Sequence, residues 1–198
     1  MATTKTSIIS TAITQLGHAP IQTLDEPDDM TVAAEQAYDL LLPAVLAENN
    51  WRFAVQIQQL SLTVDTPVVD DWQYIYNLPA DFLKTIRVYP NVYDWKIYEN
   101  LKLYTNVAAP LYMEYVYQPD PSRLPPSFVR YFCFEIADYI ALSNAQRPEY
   151  ASIIMRKKTI AQANAAAVDA QNNPQTSQVN IPVIDKRNIT GFQQNVST

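Results

Sequence analysis

The chain reads as an α+β protein, a small helical bundle interrupted by an inserted antiparallel β-sheet and followed by an extended C-terminal tail. Three observations predict this. Apolar residues recur at helical spacing over residues 31–51 and again over 127–171. Between those segments the period falls to two, in runs rich in Tyr, Val and Ile that are bounded by Pro and Asp. Beyond Asn173 the composition shifts to Gln, Asn, Ser and Thr, too poor in apolar mass to fold alone. The expected organisation is therefore a bundle from 1–51 and 124–171, a β insertion from 52–123 and a tail from 172–198.

Residues 7–16 suit a short helix, because Ser and Thr repeatedly break the apolar stretch that a secretory signal would need. GHAPIQTLDEPDDM then holds a Gly, two Pro and four acids plus the lone His18, and should form a loop. The segment TVAAEQAYDLLLPAVLAENNWRF, residues 31–53, is the longest periodic run, and the remaining elements are expected to pack around it. Thr31 is the expected N-cap, Glu35 suits the positive end of the helix dipole, and Ala33, Ala37, Leu40, Leu41, Ala44, Ala47 and Trp51 share a face. Pro43 predicts a bend and Asn49-Asn50 a stop.

In the insertion, Phe53, Val55 and Ile57 have one parity and Leu60, Leu62 and Val64 the other, which predicts a bulge or bend at Gln58-Gln59. Further strands are expected at Trp72 to Leu78, Thr85 to Tyr89, Trp95 to Tyr98, Leu101 to Tyr104 and Leu111 to Tyr117, the third and fourth joined by a hairpin at Glu99-Asn100. Pro119, Pro121, Pro125 and Pro126 close the insertion. A helix follows from Ser127 to about Asn144, with Phe128, Tyr131, Phe132, Glu135, Ile136, Tyr139, Ile140 and Ser143 on one face. Pro148 starts another helix that runs to about Ala170.

The run LGHAPIQTL, the acidic loop and the Ala-rich helix ending in NNWRF resemble the N-terminal region of tail tubular protein A, over residues 10–60. That family supplies the head-to-tail adaptors of short-tailed bacteriophages. The resemblance implies a non-enzymatic virion protein, made in the host cytoplasm, that forms a ring of twelve copies. In that setting its partners are the portal protein, the tail nozzle protein and neighbouring copies, and DNA passes through the lumen without specific binding.

Composition is consistent with such a part and removes other classes. A net charge of −6 argues against gripping nucleic acid through its phosphates. No apolar run reaches membrane-spanning length, so no membrane partner is expected. Gly17 and Gly191 are the only glycines, too few for a phosphate-cradling loop or dinucleotide fingerprint. One Cys, Cys133, and one His leave no structural zinc site, and no cofactor or metal is expected. Cys133, set among aromatic residues, reads as a buried thiol suited to a reducing compartment.

Two alternatives stay open. One is a different phage neck or head-completion protein. The other is a carbohydrate-binding or carbohydrate-cleaving β module, using Trp72, Tyr74 and Tyr76 as a stacking platform and two of Asp70, Asp71, Asp81, Glu99 and Glu114 as acid and base. Charge asymmetry favours assembly: residues 1–51 carry seven acids and one base, whereas 123–158 carry six bases and three acids. The expected partner-binding residues are Arg156, Lys157 and Lys158, together with Val179, Ile181, Val183, Ile184 and Phe192 of the tail, whose alternating apolar residues could add a strand to another chain.

Overall fold

A computed structural model describes residues 3–25, 28–90, 92, 94–99, 101–143 and 148–171. Within them lie helices α1 (Lys5–Gln15), α2 (Asp29–Glu48), α3 (Pro126–Ser143) and α4 (Pro148–Gln171). The strands are β1 (Val55–Gln59), β2 (Ser61–Leu62), β3 (Tyr74–Asn77), β4 (Phe82–Tyr89), β5 (Trp95–Tyr98), β6 (Lys102–Thr105) and β7 (Tyr112–Tyr117). The class is α+β, as the residue pattern predicts. No helix among the described residues is long and apolar enough to cross a membrane.

Local chemistry sets the helix ends. Thr4 and Ser7 form a reciprocal capping box at the start of α1, which pairs two backbone N–H groups that the first turn leaves free. At its other end Gly17 takes φ +83°, a left-handed conformation glycine adopts without a Cβ penalty, and donates to the Thr14 carbonyl. α2 begins earlier than expected, at Asp29 after Asp28, and Thr31 is buried inside its first turn rather than capping it. Its last turn is held from outside. The Trp51 indole N–H donates to the Val45 carbonyl at 3.1 Å, and Lys84 Nζ of β4 donates to the Ala47 carbonyl at 3.1 Å. Both oxygens belong to the group that a helix end cannot pair internally.

The buried face of α2 differs from the expected stripe. Thr31, Ala34, Ala37, Tyr38, Leu42, Val45 and Leu46 point inward, whereas Leu40 and Ala44 face solvent. Apolar residues occupy most sides of this helix, so more than one stripe satisfies the spacing; the edge-on contact of Tyr38 with Phe132, 5.4 Å between ring centres, selects the rotation. The helix continues through Pro43 to Glu48.

The central helix is α3, not α2, because α1, α2 and α4 all pack against it. Tyr131, Phe132, Cys133, Phe134, Ile136 and Ala137 are buried, leaving it apolar nearly all round, while Tyr139 projects to solvent against expectation. Phe128 lies within 5.2 Å of Trp51, 4.9 Å of Phe53 and 5.9 Å of Phe132, ring centre to ring centre.

The insertion is two antiparallel sheets rather than one. The inner sheet has the order β1-β7-β4 and the outer sheet β2-β3-β6-β5. This explains the parity change after Gln59. β1 pairs with β7 without interruption from Val55 to Gln59, and the chain then crosses at Leu60 into the outer sheet, so no bulge is needed there. The irregularities lie in β4 instead, at Phe82/Lys84 and Thr85/Arg87. The hairpin between β5 and β6 forms as expected, with Glu99 left-handed at φ 58°.

Two cores lie in series. The first fills the bundle and takes in Ala54 and Val116, with Val55, Leu83 and Ile86 packed against it, so the inner sheet shares the helices' core. The second lies between the sheets and contains Leu60, Tyr76, Val88, Leu103, Leu111, Met113 and Tyr115. Val116 thus faces the helices while Met113 and Tyr115 face the outer sheet, as alternation along β7 requires.

Trp51 combines ring burial with the helix-end hydrogen bond, so Trp51→Ala should cost about 3–5 kcal/mol. Tyr38 gives the opposite case, because its hydroxyl is buried with no hydrogen-bond partner among the described residues. Tyr38→Phe keeps the ring contact and removes the unpaired oxygen, so stability should be unchanged or rise by up to about 1 kcal/mol. Urea denaturation of the two variants measures both effects.

Candidate interaction surfaces

The three cationic residues expected to act together are divided by the geometry of α4. Lys158 turns inward and joins α4 to α3, its Nζ lying 2.6 Å from Asp138 and 3.4 Å from Glu135. Burial of the ammonium works to lower its pKa, but the hydrogen bond to Asp138 and the charges of Glu135 and Asp138 outweigh it, and the net shift is upward. Lys158 therefore ties α4 to α3 and does not share the outward face of Arg156 and Lys157. Arg156 and Lys157 are exposed and make no ion pair among the described residues. Val179, Ile181, Val183, Ile184 and Phe192, with the rest of the tail, lie outside the described residues.

Two open grooves border α4. One, of about 700 Å³, lies between its C-terminal half and the link from α2 to β1, with Asn50, Trp51, Arg52, Gln162, Ala166 and Asp169 on its walls. The Arg52 backbone N–H donates to the Asp169 carboxylate at 2.9 Å across this groove and fastens the start of the insertion to the last helix. The second, of about 610 Å³, runs between α1, α3 and α4. Thr11, Val129, Arg130, Phe134, Lys157 and Ile160 line it, and no carboxylate does. Cys133 is part of its wall, but its thiol is buried, donating to the Ile8 carbonyl at 3.5 Å and pushed up to about pKa 12 by burial. It is the inert, buried thiol that its aromatic neighbours suggested.

The acidic residues of the insertion do not converge. Glu114 and Tyr115 are successive residues of β7 and point to opposite faces. Tyr89 donates to Glu114 at 3.0 Å on one face. On the other, Asp81 accepts from Gln56 at 3.1 Å and lies 3.1 Å from the Tyr115 hydroxyl. Burial, and then the hydrogen bond to Asp81, push Tyr115 up to about pKa 12. Asp70 and Asp71 are exposed in the loop between β2 and β3. Among the described residues no three of His, Cys, Asp and Glu gather as a metal site would require.

Two of the aromatic residues considered for sugar stacking, Trp72 and Tyr76, are spent on the fold, and the third, Tyr74, is half-buried against the core between the sheets. Tyr76 is fully buried with its hydroxyl donating to the Val107 carbonyl at 2.9 Å, and Trp72 is 8% exposed with Lys96 Nζ over its ring. Neither presents the open ring face that a sugar stacks on. The residues that sequence reasoning missed are Val68 and Val69, which project from the loop between β2 and β3; Val64, expected in strand alternation with Leu60 and Leu62, lies in the same loop because β2 ends at Leu62. The signal for Val68 and Val69 was present as a pair of valines between Pro67 and Asp70, outside the run of either strand.

No family model and no curated protein matches this chain.

Lys158 supplies a clear test. Replacing it with Ala leaves Glu135 and Asp138, both mostly buried, facing each other without a cation, and should cost about 2 kcal/mol. Since the folded pKa lies above the ordinary 10.5, the stabilisation is complete below that pH and is lost as pH rises through the folded value. Denaturation of wild type and Lys158→Ala at pH 7 and above pH 11 should therefore show the difference shrinking at the higher pH.

Proposed function

We propose that this chain is a structural virion protein, the head-to-tail adaptor of a short-tailed bacteriophage similar to tail tubular protein A. In this reading copies form a ring that joins the portal to the tail nozzle and surrounds the path of DNA ejection. A different neck or head-completion protein is the nearest alternative.

The observation that carries the proposal is a set of exposed, unpaired charges, acidic at the approach to α2 and in the outer loop and basic on α3 and α4. Asp25, Asp28 and Asp29 stand exposed at the approach to α2, and Asp70 and Asp71 in the outer loop. Arg130, Arg156 and Lys157 stand exposed on α3 and α4. None of these eight makes an ion pair among the described residues. Segregated charge of opposite sign is what a heterologous contact between identical copies uses to set orientation and reject wrong pairings. The overall excess of acid suits a channel wall along which DNA slides without adhering.

The run of residues 10–60 supports the same reading through packing. Leu16, Ile21 and Leu24 pack against the bundle core beside α1 and α2, and Trp51 and Phe53 close the far end of α2. The stretch that resembles the family therefore supplies α2 and part of α1 to the bundle.

Native mass measurement of the protein mixed with the portal of its phage tests the proposal. The expected result is a closed ring bound to the portal, with monomer or weak association in the portal's absence. A mixture in which the two proteins remain separate at all concentrations overturns it.

A further inference from the structure

We propose that the loop of residues 63–71 in one copy docks into the groove between α1, α3 and α4 of a second copy. The proposal deepens the adaptor reading and rests on it for the setting of the assembly.

The loop has the character of an inserted element. Val64 is fully exposed, Val68 is 95% exposed and Val69 is 54% exposed. Aliphatic side chains displayed together in this way mark a contact surface more often than scattered ones do. Asp70 and Asp71 stand beside them with no partner for their carboxylates among the described residues, whereas Asp65 is held by Lys102 at 3.2 Å. The loop is also braced before any partner arrives. The Thr63 N–H donates to the Ile75 carbonyl at 2.8 Å, the Trp72 N–H to the Val69 carbonyl at 3.3 Å, and the Asn106 side-chain amide to the Asp71 carbonyl at 3.0 Å. A preformed loop loses less conformational freedom on binding.

The groove offers the complement. Arg130 and Lys157 supply two unpaired cations, and Val129, Phe134 and Ile160 supply apolar wall. Ile153 extends that wall along α4, since residues 153, 157 and 160 follow one helical stripe, and both Ile153 and Ile160 are 54% exposed. Aliphatic and anionic groups on the loop thus match aliphatic and cationic groups in the groove.

The two features cannot meet within one chain. Helices and their flanking residues line the groove, whereas the loop belongs to the outer sheet, which the inner sheet separates from the bundle. In a second copy they can meet, and the contact is head-to-tail, the type that closes into a ring or runs on as a filament. The unpaired acids at the approach to α2, Asp25, Asp28 and Asp29, carry charge without fully exposed aliphatic neighbours, so the loop is the better occupant.

Cross-linking with charge exchange tests the contact. Val68→Cys and Ile160→Cys proteins are made separately in a Cys133→Ala background, which removes the native thiol at the groove wall, mixed at the highest soluble concentration and mildly oxidised, so the introduced thiols are the ones that react. The expected product is the mixed disulfide, in at least tenfold excess over either self-linked pair. Adding Asp70→Lys and Asp71→Lys to the loop protein should cut its yield at least tenfold, and Arg130→Glu with Lys157→Glu in the groove protein should restore it. These positions are exposed, and circular dichroism checks that the fold is kept. Equal yields of mixed and self-linked products, or failure of the exchanged charges to restore the link, overturn the contact. A ring on the portal without the mixed disulfide also overturns it while leaving the adaptor reading in place. The disulfide with its charge rescue, but with no ring on the portal, overturns the adaptor reading and supports the contact.

Discussion

The structure depends on the need of α3 to be covered on almost every side. A helix carrying Phe128, Tyr131, Phe132, Phe134, Ile136 and Ile140 has no face suited to water along most of its length. α1, α2 and α4 surround it, and the rings of Tyr38, Trp51 and Phe53 fill the spaces between. Residues distant in the chain are thereby brought to one place, because Trp51 closes the first half of the bundle and Phe128 opens the second. The insertion leaves and returns between them, so its two ends are fixed by the same aromatic cluster.

Polar contacts then define how the insertion is held. Lys84 reaches from β4 to a free carbonyl at the end of α2, and Asp169 of α4 receives the backbone N–H of Arg52 where the insertion begins. Asp169 sits in the last turn of its helix, where a carboxylate is disfavoured by the dipole, and the charge-assisted hydrogen bond offsets that placement. The Lys158 pair with Asp138 and Glu135 does comparable work between α3 and α4. What a residue count shows as a basic cluster is therefore divided between an internal tie and an outward surface.

The parts that could be read in the sequence are those with local causes. Pro126 and Pro148 mark helix starts, Gly17 marks a helix end, and the β5–β6 hairpin follows from alternation broken at Glu99. The rotation of α2 was hidden because its apolar residues permit several stripes and a distant ring, Phe132, chooses among them. The division into two sheets was visible only as a change of parity near Gln59, which a bulge explains equally well; strand partners far along the chain decide it. Lys158 could not be told from Lys157 by composition, since one helical step of about 100° separates a residue facing α3 from one facing water. Val68 and Val69 escaped notice because an exposed aliphatic loop has no period, and Val64 was drawn into the alternation of Leu60 and Leu62 although β2 stops before it.

The serial arrangement of the two cores also makes the molecule unequal in its resistance to opening. The inner sheet is gripped on both sides, by helices and by the outer sheet, whereas the outer sheet contacts a core on one side. Amide protons of β3 and β6 should accordingly exchange through smaller, more frequent openings than those of β7, which lies at the middle of its sheet. A pull applied along the stack would part the layer between the sheets before it disturbed the bundle. The outer layer can yield and re-form while the aromatic centre keeps its shape.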